Sequence, residues 1–133
     1  MNVKRVGFVG SRTDGFEAMT VFVGDVLGLD GGFLYPNHYV AKLPSASRDY
    51  VEVFGPGEHD ARLWPPAANG VLIAFIVDDV AGAREEMEAA GVEELGELVW
   101  ASEVFNDPSF ENFGWFFFRA PDGNLYVMQQ APD

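Results

Sequence analysis

A helical stripe is written twice in this chain, and the duplication limits what it can fold into. Phe16, Met19, Val23 and Val26 recur at intervals of three and four; Val80, Ala83, Met87 and Ala90 repeat that spacing 64 positions later. Such spacing is the apolar face of an amphipathic helix. Both copies carry the same punctuation, with Asp14 and Asp78-Asp79 placed as N-caps and Gly28 and Gly91 placed to end the helix. Before each helix lies a short apolar run of strand length, Val3 to Val9 and Val71 to Val77.

The segments after the helices complete the repeat. Phe33 to Leu43 is rich in Phe, Tyr and Val but is interrupted by Pro36, which predicts an edge or bent strand. Pro44-Ser45-Ala46-Ser47 reads as a turn, and Asp49 to Phe54 as a further strand. In the second half, Glu97 to Ala101 reads as a strand and Glu103 to Phe113 as a loop. A ribbon from Gly114 to Gln130 then flanks Pro121-Asp122-Gly123-Asn124 with two aromatic and β-branched runs, a hairpin signature. The pattern is β-α-β-β-β, twice. One copy cannot bury both its helix and its sheet, so the two must pair, which makes the fold class α+β. We expect a single domain over 1–133, with module 1 at about 1–57, a linker at about 58–69 and module 2 at about 70–133. The linker is marked by Pro56, Gly57, Pro65 and Pro66.

Composition excludes several classes of function. With no cysteine, the chain has no disulfide, zinc-thiolate site or thiol nucleophile, and it is expected to be cytoplasmic. No apolar run approaches the roughly 20 residues that span a bilayer. A formal charge of −13 repels nucleic-acid phosphates and anionic membranes, so neither is an expected partner, while a cationic ligand would be attracted.

Three segments resemble the glyoxalase/bleomycin-resistance/extradiol-dioxygenase superfamily, also called vicinal oxygen chelate proteins. They are the strand, Asp, helix and Leu-Gly-Leu from Val6 to Leu29, the run Ile73 to Val80, and Phe118 to Tyr126. The resemblance covers essentially the whole chain. It implies two βαβββ modules forming an incomplete barrel around a cavity, assembled as a homodimer. It also implies that metal-dependent relatives hold a divalent cation on His, Gln or Glu side chains from the first and fourth strands of each module. Carried onto this sequence, those places fall at Phe8, Glu52, Leu72 and Val127. Three are apolar, and one carboxylate cannot supply the several N or O donors such an ion needs at about 2.0–2.3 Å. No metal and no other cofactor is therefore expected. The two histidines, His38 and His59, fall outside those places and read as hydrogen-bonded or solvated side chains.

Strand parity points to an aromatic cavity. If Val127 faces inward with Leu125 and Gln129, its hairpin partner turns in either Trp115, Phe117 and Arg119 or Phe116 and Phe118, and we favour the first set. The same parity places Phe8 with Gly10, Glu52 with Phe54, and Leu72 with Ala74 against the cavity. Trp100, Phe105, Phe110 and Phe113 are placed to close its mouth. Ordinary core or a subunit interface is the competing account of these rings. The candidate ligand-binding set is Phe8, Glu52, Phe54, Leu72, Trp100, Trp115, Phe117, Arg119, Val127 and Gln129, with no catalytic residue assigned. Glu52 is the candidate base or cation holder.

These observations suggest a metal-free protein that binds a small organic molecule, aromatic or cationic, as a sequestering or resistance protein. The alternative is a metal-dependent lyase, isomerase or dioxygenase with a displaced ligand set drawn from Glu52, His38 and Asp107 or Glu111. A third reading is an accessory domain that regulates a partner.

Overall fold

The computed structural model describes residues 1–44, 49–68 and 70–132. Strands β1 (Arg5–Arg12), β2 (Asp30–Tyr35), β3 (His38–Lys42), β4 (Tyr50–Phe54), β5 (Val71–Ile76), β6 (Val99–Trp100), β7 (Gly114–Arg119) and β8 (Leu125–Gln130) form one sheet. Their order is β2-β3-β4-β1-β5-β8-β7-β6, and the sheet does not close into a barrel. β1 and β5 run antiparallel at the centre, and each is flanked by the parallel fourth strand of its own module. Val9 pairs with Ile73, its counterpart in the repeat, so the pseudo-twofold axis passes through that pair. Gly10 pairs with Glu52 as Ala74 pairs with Val127, which puts Glu52 and Val127 in equivalent places.

Two helices cover one face of the sheet. Helix α2 (Val80–Ala89) starts where the Asp79 carboxylate accepts the Gly82 N–H at 3.0 Å, and Gly91 follows its end at φ +88°. It buries Val80, Ala83 and Met87 against Phe116, Phe118 and Met128. Phe116 is fully buried there, and its burial alone stabilises the fold by about 1.5–3 kcal/mol.

Helix α1 (Phe16–Val21) departs from expectation at both ends. Gly15, not Asp14, takes the N-cap position, and no side chain caps it. At its other end the helix widens into a π-helical turn over Phe22–Val26. The wider turn rotates the face, so Phe16, Met19 and Val23 still pack on Tyr39, Ala41 and Val53 while Val26 points outward, 68 % exposed.

Three further segments differ from the sequence reading. Pro36 does not bend a single strand: Tyr35 pairs with His38, leaving Pro36-Asn37 as the turn of a β2–β3 hairpin. That arrangement suits a proline, which has no N–H to give a ladder. β6 is only two residues long, because Ala101 donates its N–H to the Phe113 carbonyl and the chain enters helix α3 (Ala101–Val104). The expected loop after it holds a 3₁₀ turn, Pro108–Phe110. Most of the turn expected at Pro44-Ser45-Ala46-Ser47 lies outside the described residues. Among the described residues, no helix is long and apolar enough to cross a membrane.

Candidate functional site

The uncovered face of the sheet curls around a cavity of about 330 Å³. His38 on β3 and Trp115 on β7 both line it, although five strand spacings would separate them by about 24 Å on a flat sheet. Curvature therefore brings the two modules to one site. The linker fills the rest of the trough. Trp64 is 3 % exposed and packs with Phe54, Leu72 and Trp115. Trp115 Nε1–H donates to the Arg62 carbonyl at 2.7 Å, which ties the linker to β7. Arg62 also grips Asp60, whose carboxyl is held below the usual range by that hydrogen bond.

Seven of the ten candidate residues line this cavity: Phe8, Glu52, Phe54, Trp115, Phe117, Val127 and Gln129. The hairpin parity is the favoured one, with Trp115 and Phe117 toward the cavity and Phe116 and Phe118 beneath α2. Phe105, Phe110 and Phe113 stand at the mouth as a chain of rings with centroids 5.5 and 5.6 Å apart.

Three candidates do not line it. Leu72 is on the correct face, but it is 1 % exposed in the cluster that holds Trp64, so core packing takes the place of ligand contact. Trp100 faces the other way. It packs with the α2 cluster and lies over Gly114, where a Cβ would stand 2.6 Å from its ring. In the two-residue β6 its neighbour Val99 takes the inward position. Arg119 shares the parity of Trp115 and Phe117 but lies beyond the cavity. Its guanidinium pairs with Glu94 at 2.6 Å and donates to the Gly123 carbonyl at 2.7 Å.

The polar part of the site centres on His38, which the sequence offers only in the displaced ligand set of the enzyme alternative. His38 is 3 % exposed, and its Nε2 lies 2.7 Å from Glu52 Oε1. Its ring stacks on Phe54, with centroids 4.0 Å apart and planes at 23°. Nδ1 is buried and has no hydrogen-bond partner among the described residues. The signal for this pairing was the hairpin: with Pro36-Asn37 as its turn, His38 opens β3, and Val40 falls opposite Glu52. His59 behaves as expected of a linker histidine, its Nε2 2.6 Å from the Gly55 carbonyl.

A family-type divalent metal does not fit these residues. Phe8, Leu72 and Val127 offer no donor, and His38 and Glu52 are engaged with each other. Asp107 is used as the cap of the 3₁₀ turn, where the Ser109 N–H holds its carboxyl below the usual range. Glu111 is exposed and outside the cavity lining. Among the described residues, no three His, Asp or Glu side chains stand close enough to share an ion.

An open eight-stranded sheet of two βαβββ modules around an aromatic cavity defines a structural class with known members. The fold is that of the glyoxalase/bleomycin resistance/dioxygenase superfamily, as three solved structures illustrate. A superfamily member from Vibrio splendidus 12B01 is 19% identical, with 96% of this chain and 98% of that one covered and a TM-score of 0.68. A variant of Streptomyces coelicolor methylmalonyl-CoA epimerase, bound to 2-nitronate-propionyl-CoA, is also 19% identical, with coverage of 99% and 100% and a TM-score of 0.69. The Mn(II)-bound glyoxalase from Novosphingobium aromaticivorans is 12% identical, with 96% of this chain matching 38% of that one at a TM-score of 0.64. No protein-family model matches the sequence, and no curated protein matches it.

Proposed function

We propose that this chain binds a small, largely apolar organic molecule in the cavity between its modules and acts as a sequestering protein. The observation that carries this reading is the cavity wall. Nine of its lining residues are aromatic, its volume of about 330 Å³ falls within the range of small-molecule sites, and few polar groups converge in it. Rings on several sides suit a flat body, which they hold by stacking and edge contacts. Three of the four places that would hold a cation in metal-dependent relatives carry Phe8, Leu72 and Val127, which favours binding over metal-assisted chemistry. A panel of aromatic compounds screened by thermal shift and calorimetry tests the proposal. Flat bicyclic compounds should raise the melting temperature and appear as density between Phe8, Trp115 and Phe117 in crystals. A panel without a single binder would leave the accessory-domain reading in its place.

One observation favours the enzyme alternative. The fold brings His38 and Glu52, two members of the displaced ligand set, to 2.7 Å of each other in the cavity, with Gln129 in the same wall. Elemental analysis of purified protein, followed by activity assays with added manganese, iron, nickel or zinc, separates the two readings. One tightly held metal per chain, together with turnover, would replace the binding proposal.

A further inference from the structure

We propose that the occupant of the cavity is an organic cation, a protonated amine on a flat apolar body, received by Glu52 with His38 as its positioning residue. This rests on the reading above that the cavity binds a small organic molecule, and it names the chemical class.

The argument starts from hydrogen-bond accounting on His38. Nε2 faces Glu52 Oε1 at 2.7 Å, while Nδ1 is buried with no acceptor among the described residues. A doubly protonated ring would bury a charged N–H donor that nothing receives, whereas a bare Nδ1 lone pair is tolerated far more easily. The neutral tautomer with its proton on Nε2 fits both nitrogens. His38 then acts as a hydrogen-bond donor and not as a counter-ion, and the pair keeps the full negative charge of the carboxylate.

Among the described residues nothing else in the cavity neutralises that charge. Of the eighteen lining residues none is lysine or arginine, and Glu52 Oε2 has no partner among the described residues. The Glu52 side chain is 18 % exposed, so its carboxylate is only partly hydrated and gains from a cation. Nine aromatic side chains line the same cavity, and a ring face within reach of a cation attracts it. An anion would meet a carboxylate, and a neutral ligand could donate a hydrogen bond to Oε2 without balancing its charge. A metal ion would need a third His, Asp or Glu ligand beside the pair, which the described residues do not place there. A protonated amine satisfies Oε2 by charge and by N–H donation, while its apolar body fills the rest.

Four probes sharing one naphthylmethyl body separate the possibilities by calorimetry: the ammonium, the trimethylammonium, the alcohol and the carboxylate. The ammonium should bind at least about tenfold tighter than the alcohol, with the trimethylammonium between them and the carboxylate weakest. Glu52→Gln should shrink the preference for the ammonium over the alcohol from at least about tenfold to about twofold or less. Equal binding of ammonium and alcohol in the unsubstituted protein would overturn the charge inference and leave the cavity reading standing. Failure of all four probes would overturn both. Should Glu52→Gln not fold, imidazole nitrogen NMR of the unsubstituted protein decides the His38 step: an Nε2–H tautomer supports it, and a proton on Nδ1 refutes it.

Discussion

The rings of Tyr35 and Phe105 meet with centroids 5.9 Å apart, across the gap that keeps the sheet from closing. Tyr35 ends the edge strand β2 and Phe105 follows α3, beside the opposite edge strand β6, so this contact bridges the two modules where hydrogen bonds do not. Such a pair contributes about 0.5–1.5 kcal/mol beyond the area it buries. Phe105→Ala should lower stability by about 1–2 kcal/mol and open the cavity mouth. The check is acrylamide quenching of tryptophan fluorescence, which should rise in the variant because Trp115 lines the cavity behind this ring. Unchanged quenching would mean that Phe105 does not restrict access.

Trp115 has two roles that a single alanine substitution would confound. Its ring faces the cavity, and its Nε1–H secures the linker at the Arg62 carbonyl. Trp115→Phe keeps most of the ring and leaves that carbonyl without its donor, at a cost of about 1–2 kcal/mol. Trp115→Ala also hollows the core and should cost about 3–5 kcal/mol. If the latch holds the linker, limited proteolysis between residues 58 and 68 should speed up in Trp115→Phe. Once a ligand is known, the loss of affinity in Trp115→Phe should be smaller than the 1–3 kcal/mol or so expected for truncating an aromatic anchor.

How much of the site the sequence revealed depends on how each position is encoded. The family resemblance carries Phe8, Glu52 and Val127 to their strands, and strand parity then turns Trp115 and Phe117 to the same face, because a period of two carries over directly to one face of a sheet. Parity says which face a residue takes but not what lies above it. Leu72 was therefore not legible as core, since the residue covering it is Trp64, delivered by a linker without periodicity. Arg119 obeys the same parity beyond the cavity's end, where only the length of the curled sheet could exclude it. His38 stayed out of the binding set because Pro36 has two structural meanings, a bent strand or a hairpin turn, and only the pairing of Tyr35 with His38 distinguishes them. The π-helical turn that swings Val26 outward has no sequence signature comparable to a cap.

Two adjacent glycines on the edge strand test how tightly β2 packs. A Cβ at Gly31 would lie 2.6 Å from the Tyr39 hydroxyl and 2.8 Å from the Val40 carbonyl, which is backbone and cannot swing away. At Gly32 a Cβ would meet nothing within 4 Å. Gly31→Ala should therefore destabilise by about 1–3 kcal/mol, and Gly32→Ala should be neutral or stabilise by up to about 1 kcal/mol. Removing the hydroxyl with Tyr39→Phe should recover only part of the Gly31→Ala loss, because the carbonyl contact stays. Denaturant unfolding of the three variants and the double mutant provides the comparison, and full recovery would show that the hydroxyl alone sets the limit.

The last turn of the chain contains a pair whose pH behaviour has a definite sign. Tyr126 O–H donates to Asp122 Oδ2 at 2.5 Å, and the Asn124 N–H donates to Oδ1 at 2.9 Å, so the carboxyl is held below its usual range, chiefly by the tyrosine. The same bond pushes the Tyr126 phenol above its usual range. A depressed carboxyl contributes stability that is present above its unfolded value, about 3.9, and is lost as pH falls through the folded one. A raised phenol contributes stability that is present below its unfolded value, about 10, and is lost as pH rises through the folded one. The stability difference between the unsubstituted protein and Tyr126→Phe should therefore stay flat from about pH 5 to 9 and shrink outside that window on both sides. In the variant the Asp122 carboxyl should titrate closer to an ordinary aspartate, read from its side-chain carbon shift. An unmoved titration would assign the depression to the Asn124 N–H alone and remove the tyrosine from the account of the turn.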